Sequence, residues 1–327
     1  MDTLSIFRKD ECEIFPVISP AANDLRSINF YVVKYYESLI LIDAGINNKT
    51  NWNALCSTLA QNDLQVTDLT AIILTHHHYD HIGLVDKIVS KNPIPVFASS
   101  EAIPRLKRDR DFLEKRIQFY NSLYRQMGCG EMGIARVRDL KQAIEQNKHQ
   151  AIQADIHIIT NTRLFHFDVI DVPGHAPDHI ALWDNKTKWM FSGDLLIEHI
   201  SSNALVEPDI DGNRIHTLAQ QKESLLKCST LNPEFLFPGH GKIIQNAKQL
   251  VKNRIDRYEE KFDRLLRFIK AGNTTANDLA LAYYKKTYFN QFSLVMSEVI
   301  SHLDYLEEKQ RIIKEFRNGI WHYEIAY

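Results

Sequence analysis

The run Thr75-His76-His77-His78-Tyr79-Asp80-His81 constrains this chain more than any other feature, and it follows directly on the apolar run Ala71-Ile72-Ile73-Leu74. The pattern is H-x-H-x-D-H, metal-capable side chains crowded at the end of a strand candidate. Side chains alternate along a strand, so extended backbone here would point His76 and His78 the same way, able to grip one ion. Asp80 and His81 follow on the turn into a helix and can serve a second ion. A lone histidine on an apolar run is usually a hydrogen-bonded core residue. Several imidazoles beside a carboxylate are a different case, because a folded core gains nothing from clustering polar groups that must be desolvated. The run predicts a metal site, and a dinuclear one.

Further ligand types recur downstream. His175 stands in Val172-Pro173-Gly174-His175-Ala176-Pro177-Asp178-His179, after the strand-like stretch 164–172. Asp194 closes Met190-Phe191-Ser192-Gly193-Asp194, and His240 follows Phe235-Leu236-Phe237 in Pro238-Gly239-His240-Gly241. Each lies at the C-terminal end of a short strand candidate, where α/β sheets carry their functional loops. The adjacent glycines permit close backbone approach at those corners.

This ordered set resembles the metallo-β-lactamase superfamily over roughly residues 10–245. Leu39-Ile40-Leu41-Ile42-Asp43-Ala44-Gly45 is similar to the family's first motif, whose aspartate orients the metal-ligand loop. The resemblance implies that His76, His78 and His175 hold one metal, that Asp80, His81 and His240 hold the other, and that Asp194 bridges both. Imidazole and carboxylate suit zinc first, with iron or manganese as alternatives. Two bridged ions would lower the pKa of a shared water and ready it to attack a carbonyl or phosphoryl centre. Asp80 would be ligand and proton acceptor together. His179 is a candidate outer-shell or substrate-contacting group, with a loop histidine bonded to backbone as the plain alternative. His77 and Tyr79 read as packing or supporting residues.

The implied architecture is α/β, a four-layer αββα sandwich in residues 1–246 with a helical insert at about 100–160, followed by a winged-helix-like domain in 247–327. Stretches 14–18, 28–34 and 39–43 read as opening strands, 52–62 and 82–90 as helices, and 95–98 as a strand. Phe112, Tyr120 and Tyr124 in the insert share a helix face, expected to line the cleft and select substrate. In the tail, the apolar set from Val251 to Ile269 has helical spacing, and Asn318-Gly319 between two β-rich runs is a hairpin signal.

At 327 residues, 44% hydrophobic and 24% charged, the chain has the composition of a globular protein large enough for two domains. No apolar run approaches the roughly 20 residues needed to span a bilayer. The opening Met1-Asp2-Thr3-Leu4-Ser5 lacks the basic and apolar regions of a secretory signal. Cys12, Cys56, Cys129 and Cys228 are scattered, so reduced thiols and a cytoplasmic setting are expected. The tail holds 14 Lys/Arg against 11 Asp/Glu, a net of +3, too mild for the concentrated basic face of a nucleic-acid binder.

The leading expectation is a dinuclear metallo-hydrolase acting on a small ester, thioester or related acyl compound. Two alternatives stand beside it. One is a single-stranded RNA endonuclease like some members of the beta-lactamase-like protein 2 subgroup, which carry a similar tail. The other is a non-enzymatic regulator stabilised by metal, which the ligand set disfavours because structural zinc sites are normally closed by four protein ligands. The tail can wall the cleft or dimerise, so a homodimer is compatible with the resemblance.

Overall fold

The computed structural model describes residues 6–21 and 23–326; Met1–Ser5, read above for a secretory signal, lie outside them. A seven-stranded sheet has the order β1 (Phe7–Lys9), β2 (Cys12–Pro20), β3 (Ser27–Tyr35), β4 (Ser38–Ile42), β5 (Ala71–Ile73), β6 (Val96–Ala98), β7 (Ile156–Ile158). It is antiparallel from β1 to β4 and parallel from β4 to β7. A five-stranded sheet is built from β8 (Arg163–Leu164), β9 (Phe167–Asp171), β10 (Ile180–Asp184), β11 (Trp189–Gly193) and β12 (Phe235–Pro238), with β11 and β12 parallel.

The strands read as nearly unbroken apolar runs because both faces of each sheet are covered. Along β3 and β4, Tyr31, Val33, Ile40 and Ile42 turn to a core shared with Phe167, Ile180, Leu182, Phe191 and Phe237 of the other sheet. Their alternates Phe30, Val32, Leu39 and Leu41 turn the opposite way. There they meet Leu55 and Leu59 of α1 (Lys49–Ala60) and Val85 and Ile88 of α3 (Val85–Val89). On the second sheet Ala181, Trp183, Met190 and Leu236 face outward onto Leu218 and Leu225 of α7 (Thr217–Leu231). Helix, sheet, sheet, helix is the four-layer sandwich expected.

The insert leaves β6 through α4 (Ile103–Leu106), α5 (Arg110–Gln126) and α6 (Gly130–Gln146). It returns to the first sheet as β7, a strand that sequence pattern did not signal. Tyr120 does not line the cleft. It is buried with Leu123 and Tyr124 in the core outside the second sheet, and its hydroxyl meets Val206 O at 2.8 Å and Glu207 Oε1 at 2.9 Å. The aromatic stripe of α5 is its packing face, because that face meets the second sheet's layer. The ends of the insert reach the cleft instead.

After β12 come α8 (Ala247–Lys270), α9 (Ala276–Tyr284), α10 (Lys286–Asn290), α11 (Phe292–Glu308) and the hairpin β13 (Ile312–Arg317) with β14 (Ile320–Ile325). Asn318 and Gly319 have φ of 51° and 83°, the positive pair that a tight two-residue hairpin turn requires. Phe262, Leu279, Val299 and Leu303 join the same core as Tyr120 and Trp183, so the tail packs continuously on the second sheet's helical layer.

Candidate metal centre

The loops that leave β4, β5, β9, β11 and β12 meet at one end of the sandwich. β5 ends at Ile73, so strand alternation does not orient His76 and His78 as expected; both stand on the loop beyond it. His78 is the residue before α2 (Tyr79–Ile82), whose first turn carries Asp80 and His81. Asp43, at φ 60°, fixes this loop. Its carboxylate accepts from the Thr75 N–H and hydroxyl at 2.8 Å each, and from His81 Nδ1 at 2.8 Å.

Three overlapping groups result: His76, His78 and His175; His76, His81 and Asp194; Asp80, His81 and His240. His76 Nε2 and His175 Nε2 each lie 3.0 Å from His78 Nδ1. Asp194 reaches the rest, with Oδ1 3.4 Å from His81 Nε2, and Oδ2 3.2 Å from His240 Nε2 and 3.5 Å from His175 Nε2. His240 Nε2 is also 3.4 Å from Asp80 Oδ2.

Three of the rings are held from behind, which fixes which nitrogen faces inward. His81 Nδ1 bonds to Asp43, His240 Nδ1 to Ser27 O at 2.8 Å, and His175 Nδ1 to Asn203 O at 3.0 Å. Such backing by carboxylate or carbonyl is the arrangement that orients metal-ligating histidines. The inward His81 Nε2, His240 Nε2 and Asp194 Oδ1 are buried with no hydrogen-bond partner among the described residues. These atoms converge on one space, and a divalent cation among them satisfies the set. The residues present fit metal ions.

Electrostatics divide the cluster. Burial drives the pKa of His76 and His78 well below the ordinary imidazole value, and neighbouring imidazoles push the same way. Burial also lowers His175. These rings stay neutral, as metal ligands must. Burial opposes charge on His81 too, yet Asp194 and Asp43 outweigh it and raise that pKa well above the ordinary value. Asp194 in turn is held well below the usual carboxylate range, because His81 and His240 outweigh its burial.

His179 is buried behind this cluster, and its Nε2 accepts from the Asp194 N–H at 3.2 Å. Burial, reinforced by His175, takes its pKa to about 3, which keeps it a neutral acceptor. Gly193, at φ 47°, lies against both His179 and Thr75, and a Cβ there would strike their side chains. Gly239 likewise runs against Asp194 and His81, where no side chain fits.

Several supporting residues were not singled out from sequence. Asp178 accepts from His77 Nδ1 at 2.6 Å; burial raises its pKa, but His77 outweighs that and leaves it lowered. Asn29 donates to Pro238 O at 3.1 Å and Gly241 O at 2.9 Å, tying the His240 loop to β3. Two polar residues, Ser27 and Asn29, opening an otherwise apolar strand were the available signal. Arg254 on α8 reaches the carbonyls of Ile197, Glu198 and Ile200, just past Asp194.

A cavity of about 480 Å³ opens beside His78. Ile46, Ile82 and Tyr79 line one side, and Arg108, His149 and Ile152 from the insert's ends line the other.

The chain is 29% identical over 303 residues to a probable metallo-hydrolase, YqjP, of Bacillus subtilis, covering 92% of this chain and 94% of that one. It is 24% identical over 298 residues to a beta-lactamase-like protein 2 homolog of Drosophila melanogaster, covering 90% and 87%. The fold matches a metallo-beta-lactamase family protein of Thermus thermophilus with a TM-score of 0.77 at 20% identity, covering 96% of this chain and 98% of that one. The family model of the metallo-beta-lactamase superfamily matches residues 23–240, most of the chain, and this protein belongs to that superfamily of metal-dependent hydrolases.

Proposed function

We propose that the protein is a dinuclear metallo-hydrolase of small ester, thioester or related acyl substrates. The observation that carries this reading is Asp194, whose two oxygens face His81, His175 and His240 at 3.2–3.5 Å and so address both ligand groups at once. On this reading His76, His78 and His175 would hold one ion, Asp80, His81 and His240 the other, and Asp194 would serve both. When bound, such a pair supplies Lewis acidity and a water activated near neutral pH. Asp80, which would be one of the second ion's ligands, also lies where its carboxylate could accept a proton, 3.4 Å from His240 Nε2. His179 has a positioning role, holding the Asp194 backbone rather than touching substrate.

The cavity supports the small-molecule reading, since about 480 Å³ lies within the usual range of compact ligand sites. Its apolar wall suits an acyl chain, and Arg108, which pairs with no carboxylate among the described residues, suits an anionic group on the substrate. On the same reading residues 247–327 are a winged-helix unit, whose Arg254 braces the segment after Asp194.

Two measurements test the reading. Protein stripped of metal and reloaded with manganese should give the exchange-coupled electron paramagnetic resonance signal of an ion pair, and Asp194→Asn should lose it. An isolated-ion spectrum at saturation sinks the dinuclear assignment. Thioester hydrolysis should depend on metal and fall about 10³-fold or more in His78→Ala, roughly 4 kcal/mol of barrier. Intact protein that ignores every ester and thioester but cleaves single-stranded RNA, with steep loss of binding at higher salt, assigns phosphoryl chemistry instead.

A further inference from the structure

A second group of ligand-type side chains lies far from the centre just described. Cys12 on β2, His166 in the turn between β8 and β9, and Asp184 at the end of β10 are all buried, with one ligand atom of each within 4.8 Å of the others. The strands run from one end of the sandwich to the other, so the separation follows from the topology. β10 starts next to His179 and ends at Asp184, a run of about 13 Å at strand rise. β3 likewise carries Ser27 and Asn29 at the catalytic end and Tyr35, paired with Cys12, at this one.

His166 is the telling member. It is 8% exposed, and both of its ring nitrogens are shielded from solvent with no hydrogen-bond partner among the described residues. The ring is clamped in place, stacked on Tyr35 with centroids 3.9 Å apart and planes at 18°. A histidine buried for packing alone ordinarily gives at least one nitrogen a partner. Asp184 is held as well, accepting from Lys186 N at 2.9 Å and from the Thr187 hydroxyl at 2.8 Å, with lone pairs to spare.

We propose that Cys12, His166 and Asp184 form a further binding site for a zinc-type divalent ion, which fastens the two sheets together at the end away from the hydrolytic centre. Thiolate, imidazole and carboxylate are a ligand set that zinc accepts, leaving one tetrahedral position for water. The charges balance: a thiolate and a carboxylate neutralise a doubly charged ion, so the buried site carries no net charge. Binding forms the metal–sulfur bond as the Cys12 Sγ–H proton passes to solvent, so occupancy rises with pH. Cys12 comes from the first sheet, and His166 and Asp184 from the second, so the ion bridges the sandwich.

The test uses cobalt in reduced, full-length protein, because the hydrolytic ligands include no thiol. Cobalt should give a near-ultraviolet thiolate-to-metal charge-transfer band in wild type. The band should persist in His78→Ala and vanish in Cys12→Ser. No band at saturating cobalt overturns the proposal, as does a band that survives Cys12→Ser. Should Cys12→Ser fail to fold, His166→Ala decides: losing a direct ligand should weaken the band's titration by about 10–100-fold, at least what an outer-shell partner contributes. An unchanged midpoint overturns the site.

Discussion

Around Glu207, opposite charges close on one another. Its carboxylate takes a paired ion contact from Arg116 and a hydroxyl contact from Tyr120, and the cluster ends there. Around Asp194, like groups face each other: His76, His78 and His175 turn nitrogens together, and buried atoms on His81, His240 and Asp194 have no partner. Both clusters are buried and both are polar, yet only the first satisfies itself. A cluster built to hold a fold exhausts its hydrogen-bonding capacity internally, because each unmet buried group weakens it. One built to hold a ligand leaves that capacity pointing inward and anchors the outward atoms instead. The contrast predicts that breaking the first cluster costs stability, and breaking the second costs binding.

The largest stability effect should come from Glu207→Gln. Removing one partner of a buried pair strands the other charge, at about 3–5 kcal/mol. The loss here should be about 3 kcal/mol, the lower end, because Arg116 keeps 27% of its side chain in solvent. Denaturant melts read this directly, while activity per folded molecule stays level. Burial raises the Glu207 pKa, but Arg116 outweighs it and leaves it lowered. The contribution is therefore present above the unfolded carboxylate pKa and fades as pH falls through the lowered folded value, so wild type and variant should converge in acid. A variant as stable as wild type at neutral pH would erase the contrast.

The next effect belongs to the ligand-holding cluster. Asp43→Asn keeps an oxygen for the Thr75 N–H but takes away the anionic acceptor of His81 Nδ1. Metal affinity should drop about 10–100-fold, or 1.4–2.8 kcal/mol, with turnover largely recovered at saturating metal. Chelator competition measures it, and unchanged affinity would mean that His81 needs no backing.

The ligands of the Asp194 cluster were legible in the sequence because each sits in a short motif with a glycine or a neighbouring ligand to mark it. Their supports were not. His77 and Asp178 lie 101 residues apart, and nothing local links them. Arg254 reads as one more charge on an amphipathic helix, although it is buried against three carbonyls near the centre. β10 gave no signal because every residue in it is buried, which removes the alternation that marks a half-exposed strand, and unlike the equally buried β11 it ends in no glycine–ligand motif. Tyr120 misled for a related reason: a stripe of aromatics states that a helix face is covered, and says nothing of what covers it.

Tyr120 also gives the smallest and sharpest test of the comparison. Its one hydroxyl proton can go to Val206 O at 2.8 Å or to Glu207 Oε1 at 2.9 Å, but not to both. Tyr120→Phe preserves the ring, its stacking on Tyr124 at 5.6 Å, and the Arg116–Glu207 pair. Only one hydrogen bond within a closed cluster is lost, and Arg116 still serves the carboxylate. Stability should fall by about 1 kcal/mol, the usual net worth of such a bond. Neither metal affinity nor KM should move, because the ring faces the core. A rise in KM at unchanged stability would return this helix face to the cleft. A loss as large as that of Glu207→Gln would mean that the hydroxyl, rather than the ion pair, holds the cluster closed.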